Sequence, residues 1–350
     1  MLDIYGLAKY SHQSGSDAIT GVHYGFRSNY SVQNGVNSER CLVASLHATE
    51  DNGGIGNVMF ELLGLISIAK QLSRIPVISN PSITSRLKEL SEYFPYISAH
   101  IKQNPSCQKS VFVDTPLEYC CRYDHRILDK LRAKDNLRSI SVRLRYLQTY
   151  KYLWDLSHAE IFHAIQGSKN ALFTAENVLF PKHRPDRRAL NICVHTRRGD
   201  FTESSMHLPS DDHFTIAAMQ LLIEKARTED IRIPRIYIFT DNVKWTTMKV
   251  LKPFLELNNK TIATEIARVR DSSPPNAEWE FSRKYCDRVL LTAATSTYGW
   301  WLGFLSRGQR VYYNKKYVSP GVRADELLPV DFWPQHWIPL GVSRNKAVEL

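Results

Sequence analysis

The residues with the most chemistry per position fall in one stretch, Leu190-Asn191-Ile192-Cys193-Val194-His195-Thr196-Arg197-Arg198-Gly199-Asp200-Phe201. Its first half is apolar and partly β-branched, the pattern of a strand buried in a sheet covered on both faces. It ends in a histidine, two arginines, a glycine and an aspartate. In open α/β sheets, ligands bind in the crevice beyond the carboxyl ends of strands. Two guanidiniums there form a permanently charged fork matched to phosphate oxygens. A nucleotide diphosphate is the expected ligand, and a solvated basic loop after a core strand is the alternative.

Two further loops belong at the same sheet edge. Arg235-Ile236-Tyr237-Ile238-Phe239 reads as a strand ending in Thr240-Asp241-Asn242, and Arg288-Val289-Leu290-Leu291 leads into Thr295-Ser296-Thr297-Tyr298-Gly299. Ser296 and Thr297, at a helix start, offer hydroxyl and backbone donors to a pyrophosphate. Asp241 can accept from a base or ribose. Taken singly, Ser296 and Thr297 also read as a helix cap and Asp241 as a turn.

The elements that position these loops alternate strand and helix. In the second half, residues 211–227 form a helix with Phe214, Ala218, Leu221 and Leu222 at core spacing, residues 243–257 another, and residues 260–269 a strand. In the first half, a strand from Cys41 to Leu46 precedes Gly53-Gly54-Ile55-Gly56-Asn57, which opens a helix, and a strand follows from Ile75. The glycines at that turn resemble a dinucleotide fingerprint, but Met59 stands where its third glycine belongs and no acid ends the second strand. A nicotinamide cofactor is therefore not expected. Residues 81–94 and 124–134 read as helices, 111–113 as a strand and 167–188 as an interdomain connection. The run at 140–154, with Arg143, Arg145, Tyr146 and Tyr150, reads as a helix with a solvated basic face, or alternatively as an RNA-binding surface. The fold class is α/β, with two facing Rossmann-like domains and mostly parallel sheets.

The chain has 350 residues, enough for two such domains, and a formal net charge of +10 that favours anionic partners. A polar extension at 1–39 precedes a first domain at 40–186 and a second at 187–350. No run approaches the roughly 18 apolar residues of a membrane span. The first residues lack the basic-then-apolar order of a signal peptide, so the chain is expected to be cytosolic or to lack its membrane anchor in this sequence. Cys41 and Cys193, inside apolar strands, read as plain buried thiols, whereas Cys107, Cys120, Cys121 and Cys286 lie nearer loops and can pair in an oxidising lumen. Asn29-Tyr30-Ser31 and Asn259-Lys260-Thr261 are glycosylation triplets of low information.

In order along the chain, residues 53–60, His195-Thr196-Arg197-Arg198-Gly199-Asp200-Phe201 and Ser296-Thr297-Tyr298-Gly299-Trp300-Trp301 resemble the motifs of the α-1,2-fucosyltransferases, glycosyltransferase family 11. Phe239-Thr240-Asp241-Asn242 with Trp245, and Phe332-Trp333-Pro334-Gln335-His336-Trp337, are similar to that family's aspartate motif and closing segment. The resemblance covers roughly residues 40–338. Val58 departs from the family's usual glutamine and Thr196 from its usual aliphatic residue. The resemblance implies a GT-B-like fold, a Golgi location, GDP-fucose as donor and a galactose-terminated glycan as acceptor. It also implies transfer to the galactose 2-hydroxyl with inversion and without a metal.

The residue chemistry agrees with that implication. A departing nucleotide diphosphate needs stabilisation as its charge develops, and the chain has no Asp-x-Asp to hold a metal for the task. Arg197 is the expected catalytic phosphate contact, with Arg198, Gly54, Gly56, Asn57, Asp241, Ser296 and Thr297 as further donor-binding residues. His195 is expected to orient the loop or touch the donor. For the general base, Asp200 and Glu61 are the candidates, Asp200 being equally suited to pairing with an arginine. A non-enzymatic RNA-binding protein and a member that binds GDP-fucose without transferring it are the competing readings, although nucleic acid is not the expected partner.

Overall fold

A computed structural model describes residues 39–78, 80–102, 107, 109–115, 119–270, 272–318 and 326–350. Apart from Glu39, the polar extension lies outside the described residues, and so does the Asn29 triplet. The strands are β1 (Cys41–Leu46), β2 (Ile75–Ile78), β3 (Val111–Phe112), β4 (Ser139–Leu144), β5 (Leu190–Thr196), β6 (Pro234–Thr240), β7 (Ala263–Ile266), β8 (Arg288–Leu291), β9 (Arg310–Asn314), β10 (Ile338–Ser343) and β11 (Lys346–Glu349).

The first four strands form a parallel sheet in the order β2-β1-β4-β3. The rest form a seven-stranded sheet in the order β11-β10-β9-β8-β5-β6-β7, parallel except for the β10–β11 pair. Counted from β5, that sheet runs 3-2-1-4-5-6, the order of dinucleotide-binding sheets, whose ligand crevice opens where the strand order reverses. The reversal lies between β5 and β8. Every residue of β5 is buried, including the polar Asn191, His195 and Thr196, which is why its apolar residues do not simply alternate with polar ones. The architecture is α/β and GT-B-like, with two Rossmann-type sheets.

A single core ties the two sheets together. The helix Ile55–Gln71 is apolar on nearly every side because it packs between them. Its Phe60 ring lies 4.6 Å from that of Trp300 and 4.9 Å from that of Trp301. Residues Glu39–Leu350 accordingly form one compact unit.

Three expectations need correction. Residues 140–154 are not a helix: β4 takes Ser139–Leu144, an irregular stretch follows, and a single 3-10 turn covers Tyr150–Leu153. The alternation of buried Ile140, Val142 and Leu144 with Ser141 and Arg143 is a period of two. The connection at 167–188 contains a helix, Lys169–Asn177, capped by the Ser168 hydroxyl on the Ala171 amide. Cys41 and Cys193 are not free thiols. Cys41 is bonded to Cys107 and Cys193 to Cys286, across 66 and 93 residues, while Cys120 is bonded to its neighbour Cys121. Strand burial describes Cys41 and Cys193 correctly, but their partners come from distant segments that no local pattern reveals.

Among the described residues no helix is long and apolar enough to cross a membrane.

Candidate active site

A cleft of about 450 Å³ opens at the switch point between the two sheets. One wall comes from the loops after β5 and β8 and carries Arg197, Asp200, Phe201, His207, Thr295, Ser296, Thr297 and Tyr298. The other comes from the start of the Ile55 helix and the loop after β4, and carries Gly54, Gly56, Asn57, Arg145, Tyr146 and Gln148 beside Cys120. Seven of the residues singled out from the sequence therefore meet in one place.

Arg197 leaves the end of β5 with its guanidinium edge engaged by two carboxylates. Its Nε donates to Asp200 Oδ1 at 2.9 Å, Nη2 lies 2.8 Å from the same oxygen, and Nε lies 3.3 Å from Asp241 Oδ2. The Arg197 amide donates to Ser210 Oγ at 2.9 Å, and the Ser210 hydroxyl lies 2.6 Å from that of Thr292 at the end of β8. The arginine is thus held at both backbone and side chain, a pre-set positive charge in the cleft. Asp200 and Asp241 act on it as orienting partners.

Arg198 goes elsewhere. Its Nη1 donates to the Ser210 carbonyl at 2.9 Å, its guanidinium lies over the Trp245 ring at 4.6 Å, and it lines a separate pocket with Lys315, Lys316 and His213. Its amide also donates to Asp241 Oδ1 at 2.9 Å, but its side chain does not line the cleft. The twin fork expected from the sequence is a single fork, because consecutive residues leaving a strand point to opposite sides.

His195 lies beneath the cleft. It is 4% exposed, and a Cβ on Gly299 would come within 2.6 Å of its Nδ1, so only glycine lets the helix start rest on the ring. Burial, and then Arg197, push its pKa down to about 3, and Nδ1 finds no partner among the described residues. The imidazole is neutral and supports the helix Thr297–Phe304 from below.

That helix seals the cleft floor. Ser296 caps it, accepting from the Gly299 amide at 3.3 Å, so its hydroxyl is committed to the backbone. The Thr297 hydroxyl donates to Asn57 Oδ1 at 2.6 Å, and Trp301 Nε1 donates to the Gly56 carbonyl at 3.0 Å. A Cβ on Gly56 would come within 2.7 Å of Thr297, so this glycine exists for close helix contact. Gly54 has no such neighbour and simply precedes the Ile55 helix. The first-turn amides of the Thr297 helix carry the positive end of its dipole at the cleft wall.

Glu61, the second candidate base, is fully buried and does not reach the cleft. Its carboxylate accepts from the amides of Ala48, Thr49 and Tyr146 at 2.8, 2.9 and 2.8 Å, and from the Thr49 hydroxyl at 3.0 Å. Those bonds lower its pKa, but burial outweighs them and the net shift is upward. Glu61 fixes the loops after β1 and β4, including Tyr146 at φ 60°, and every acceptor site on it is used.

Several cleft residues escape sequence reading. Arg145 and Tyr146 fall in the run read as a helix, and His207 is a lone histidine in an irregular loop. Glu278 sits behind Tyr298; burial foremost raises it to about 7, with Asp241 adding and a Tyr298 hydrogen bond opposing. Among the described residues no group of three or more His, Cys, Asp or Glu is arranged to hold a metal ion.

No protein-family model matches the chain. A galactoside 2-alpha-L-fucosyltransferase of Caenorhabditis elegans is 31% identical over 331 residues, spanning 89% of this chain and 80% of the relative. A second one from the same organism is 27% identical over 330 residues, spanning 91% and 85%. Among solved structures, NodZ alpha-1,6-fucosyltransferase soaked with GDP-fucose aligns over 77% of this chain and 93% of that chain, with a TM-score of 0.44 and 14% identity. A cleft at the switch point of the larger sheet, with one fixed arginine at its centre, is thus carried by a chain that belongs to the galactoside 2-alpha-L-fucosyltransferase family of glycosyltransferases.

Proposed function

We propose that this enzyme transfers L-fucose from GDP-fucose to the 2-hydroxyl of a galactose-terminated glycan, with inversion and without a metal. The observation that carries this reading is Arg197, held by Asp200 and Asp241 at the end of β5 and facing the start of the Thr297 helix. Charge appears on the β-phosphate as the bond to fucose breaks. An arginine already in place, together with helix amides, stabilises that charge without reorganising. Residues 187–350 would hold the donor, and residues 40–186 would present the acceptor through Arg145, Tyr146 and Gln148. Asn57 would act mainly by bonding Thr297 across the cleft.

Three disulfides support folding in an oxidising compartment, which accords with a Golgi location. The test is a transfer assay with GDP-fucose over a panel of galactose-terminated acceptors, run with EDTA and with added manganese. Transfer to galactose at O2 that survives EDTA is expected. Abolition by EDTA and restoration by manganese would show that a metal, and not Arg197 alone, carries the leaving charge.

A further inference from the structure

Inverting transfer needs a base for the acceptor hydroxyl, and the carboxylates suggested by the sequence are already engaged. Asp200 gives Oδ1 to Arg197, and Glu61 is buried under four donors; Glu278, which only the structure brings forward, lies behind Tyr298. His195 is buried beneath the Thr297 helix.

His207 is placed differently. It lines the cleft on the same wall as Arg197. Its ring stacks on Phe201 with centroids 4.7 Å apart and planes 15° apart, and the Arg197 guanidinium lies 5.8 Å from that same Phe201 ring. Its Nδ1 is 3.0 Å from the Thr295 hydroxyl. Its backbone is fixed by the Ser204 hydroxyl, which accepts from the His207 amide at 2.9 Å, and by a bridge to Val318. Ring plane, ring edge and main chain are therefore all set, the arrangement of a base oriented by a third group.

We propose that His207 is the general base of the transfer, an assignment that rests on the transferase reading above. With Nδ1–H donating to Thr295, Nε2 keeps its lone pair for the acceptor. Nε2 takes the acceptor hydroxyl proton as the acceptor oxygen bonds to the fucose anomeric carbon. The bond from that carbon to the β-phosphate oxygen breaks, and its electron pair leaves with GDP beside Arg197. The imidazolium then releases its proton to water.

The charges around the ring suit this cycle. Burial lowers the pKa of His207 below its ordinary 6.5, while Asp200 and Glu326 oppose that shift. The resting ring is neutral at pH 7, and the two carboxylates favour the imidazolium once it forms. Arg197 and Arg145 are the cations lining the same cleft.

The experiment compares the enzyme with His207→Gln and His207→Ala by steady-state kinetics, GDP calorimetry and the pH profile of kcat/KM. His207→Gln is expected to lower kcat by about 10²–10³-fold, with GDP affinity unchanged, and to lack the acidic limb expected below pH 6.5 for the unsubstituted enzyme. Added imidazole should restore part of the turnover of His207→Ala. Glu326→Gln keeps the base but removes a charge that raises it, so the acidic limb should move to lower pH. Transfer by His207→Gln within threefold of the original, an unchanged acidic limb, or a Glu326→Gln limb that does not move would each overturn the assignment. If either His207 variant fails to fold, the Glu326→Gln shift decides. Absence of transfer by the unsubstituted enzyme on every acceptor would overturn the transferase reading itself, and this assignment with it.

Discussion

The two walls of the cleft are held in place by different means. On the wall built after residue 187, the central side chain leaves a strand end at a switch point that the topology of the larger sheet dictates. Arg197 is then trimmed by carboxylates from neighbouring loops. On the opposite wall, Arg145, Tyr146 and Gln148 sit on an irregular stretch whose position depends on one buried carboxylate, Glu61, reaching over from the Ile55 helix. The first wall is specified by local motif and strand order. The second is specified by a long-range hydrogen-bond latch. Damage to the first should therefore appear as lost chemistry, and damage to the second as lost stability and lost acceptor fit.

The largest effect is expected at Arg197. Arg197→Ala should lose GDP binding and cut turnover by about 10²–10³-fold, the cost of removing a pre-set transition-state donor. Its melting temperature should stay near that of the parent, because an exposed ion pair contributes little to stability. Calorimetry with GDP and thermal unfolding check both halves, and retained turnover would remove Arg197 from the mechanism.

Glu61→Ala should rank next. It leaves three buried amides without an acceptor, a loss on the order of 3 kcal/mol or more, measurable by urea unfolding. If the contrast between the walls is right, the surviving protein should show a raised acceptor KM with a nearly unchanged donor KM. Equal damage to both KM values would mean that the latch serves the whole cleft.

His195 supplies an acid-stability test. Its folded pKa is lowered from 6.5 to about 3, so between those values the unfolded chain binds the proton and the folded one does not. Stability is therefore full above pH 6.5 and falls as pH drops through that window, by at most about 1.4 kcal/mol per pH unit. His195→Asn should flatten that slope in urea titrations at pH 4–7, and an unchanged slope would show that other groups carry the acid sensitivity.

Arg198→Ala is the smallest and most discriminating change. Its guanidinium is spent on the Ser210 carbonyl and Trp245, so about 1 kcal/mol of stability should go while GDP affinity changes little. A loss of GDP binding equal to that of Arg197→Ala would restore the double fork.

The contrast between the walls also explains what was legible in the sequence. β5 and its motif, the Ser296-Thr297 helix start and the strand–helix alternation were readable because each is written in consecutive residues with one period. Arg197 was recognisable by the same route. The divergence of Arg198 was not legible, because it depends on the Ser210 carbonyl and the Trp245 ring, which come from other segments. The strand at Ser139–Leu144 differs from the expected helix because its period of two spans only six residues and is followed at once by Arg145, Tyr146 and Tyr150, which extend the run without extending the strand. Glu61 and the disulfide partners of Cys41 and Cys193 join segments 12 to 93 residues apart, which no window of sequence contains. His207 carried no signal at all, since a histidine in a loop gains meaning only from the ring and hydroxyl that meet it.

The contact between Gly56 and Thr297 has a mechanical consequence. With Trp301 bonded to the Gly56 carbonyl and Phe60 packed on two indoles, swinging the halves apart would wet several large aromatic faces at a cost of several kcal/mol. The floor of the cleft works as a rivet and not as a hinge. GDP must then leave through a fixed mouth, cleared by side chains and surface loops on the nanosecond-to-microsecond scale, and the enzyme need not open and shut its jaws at each turnover.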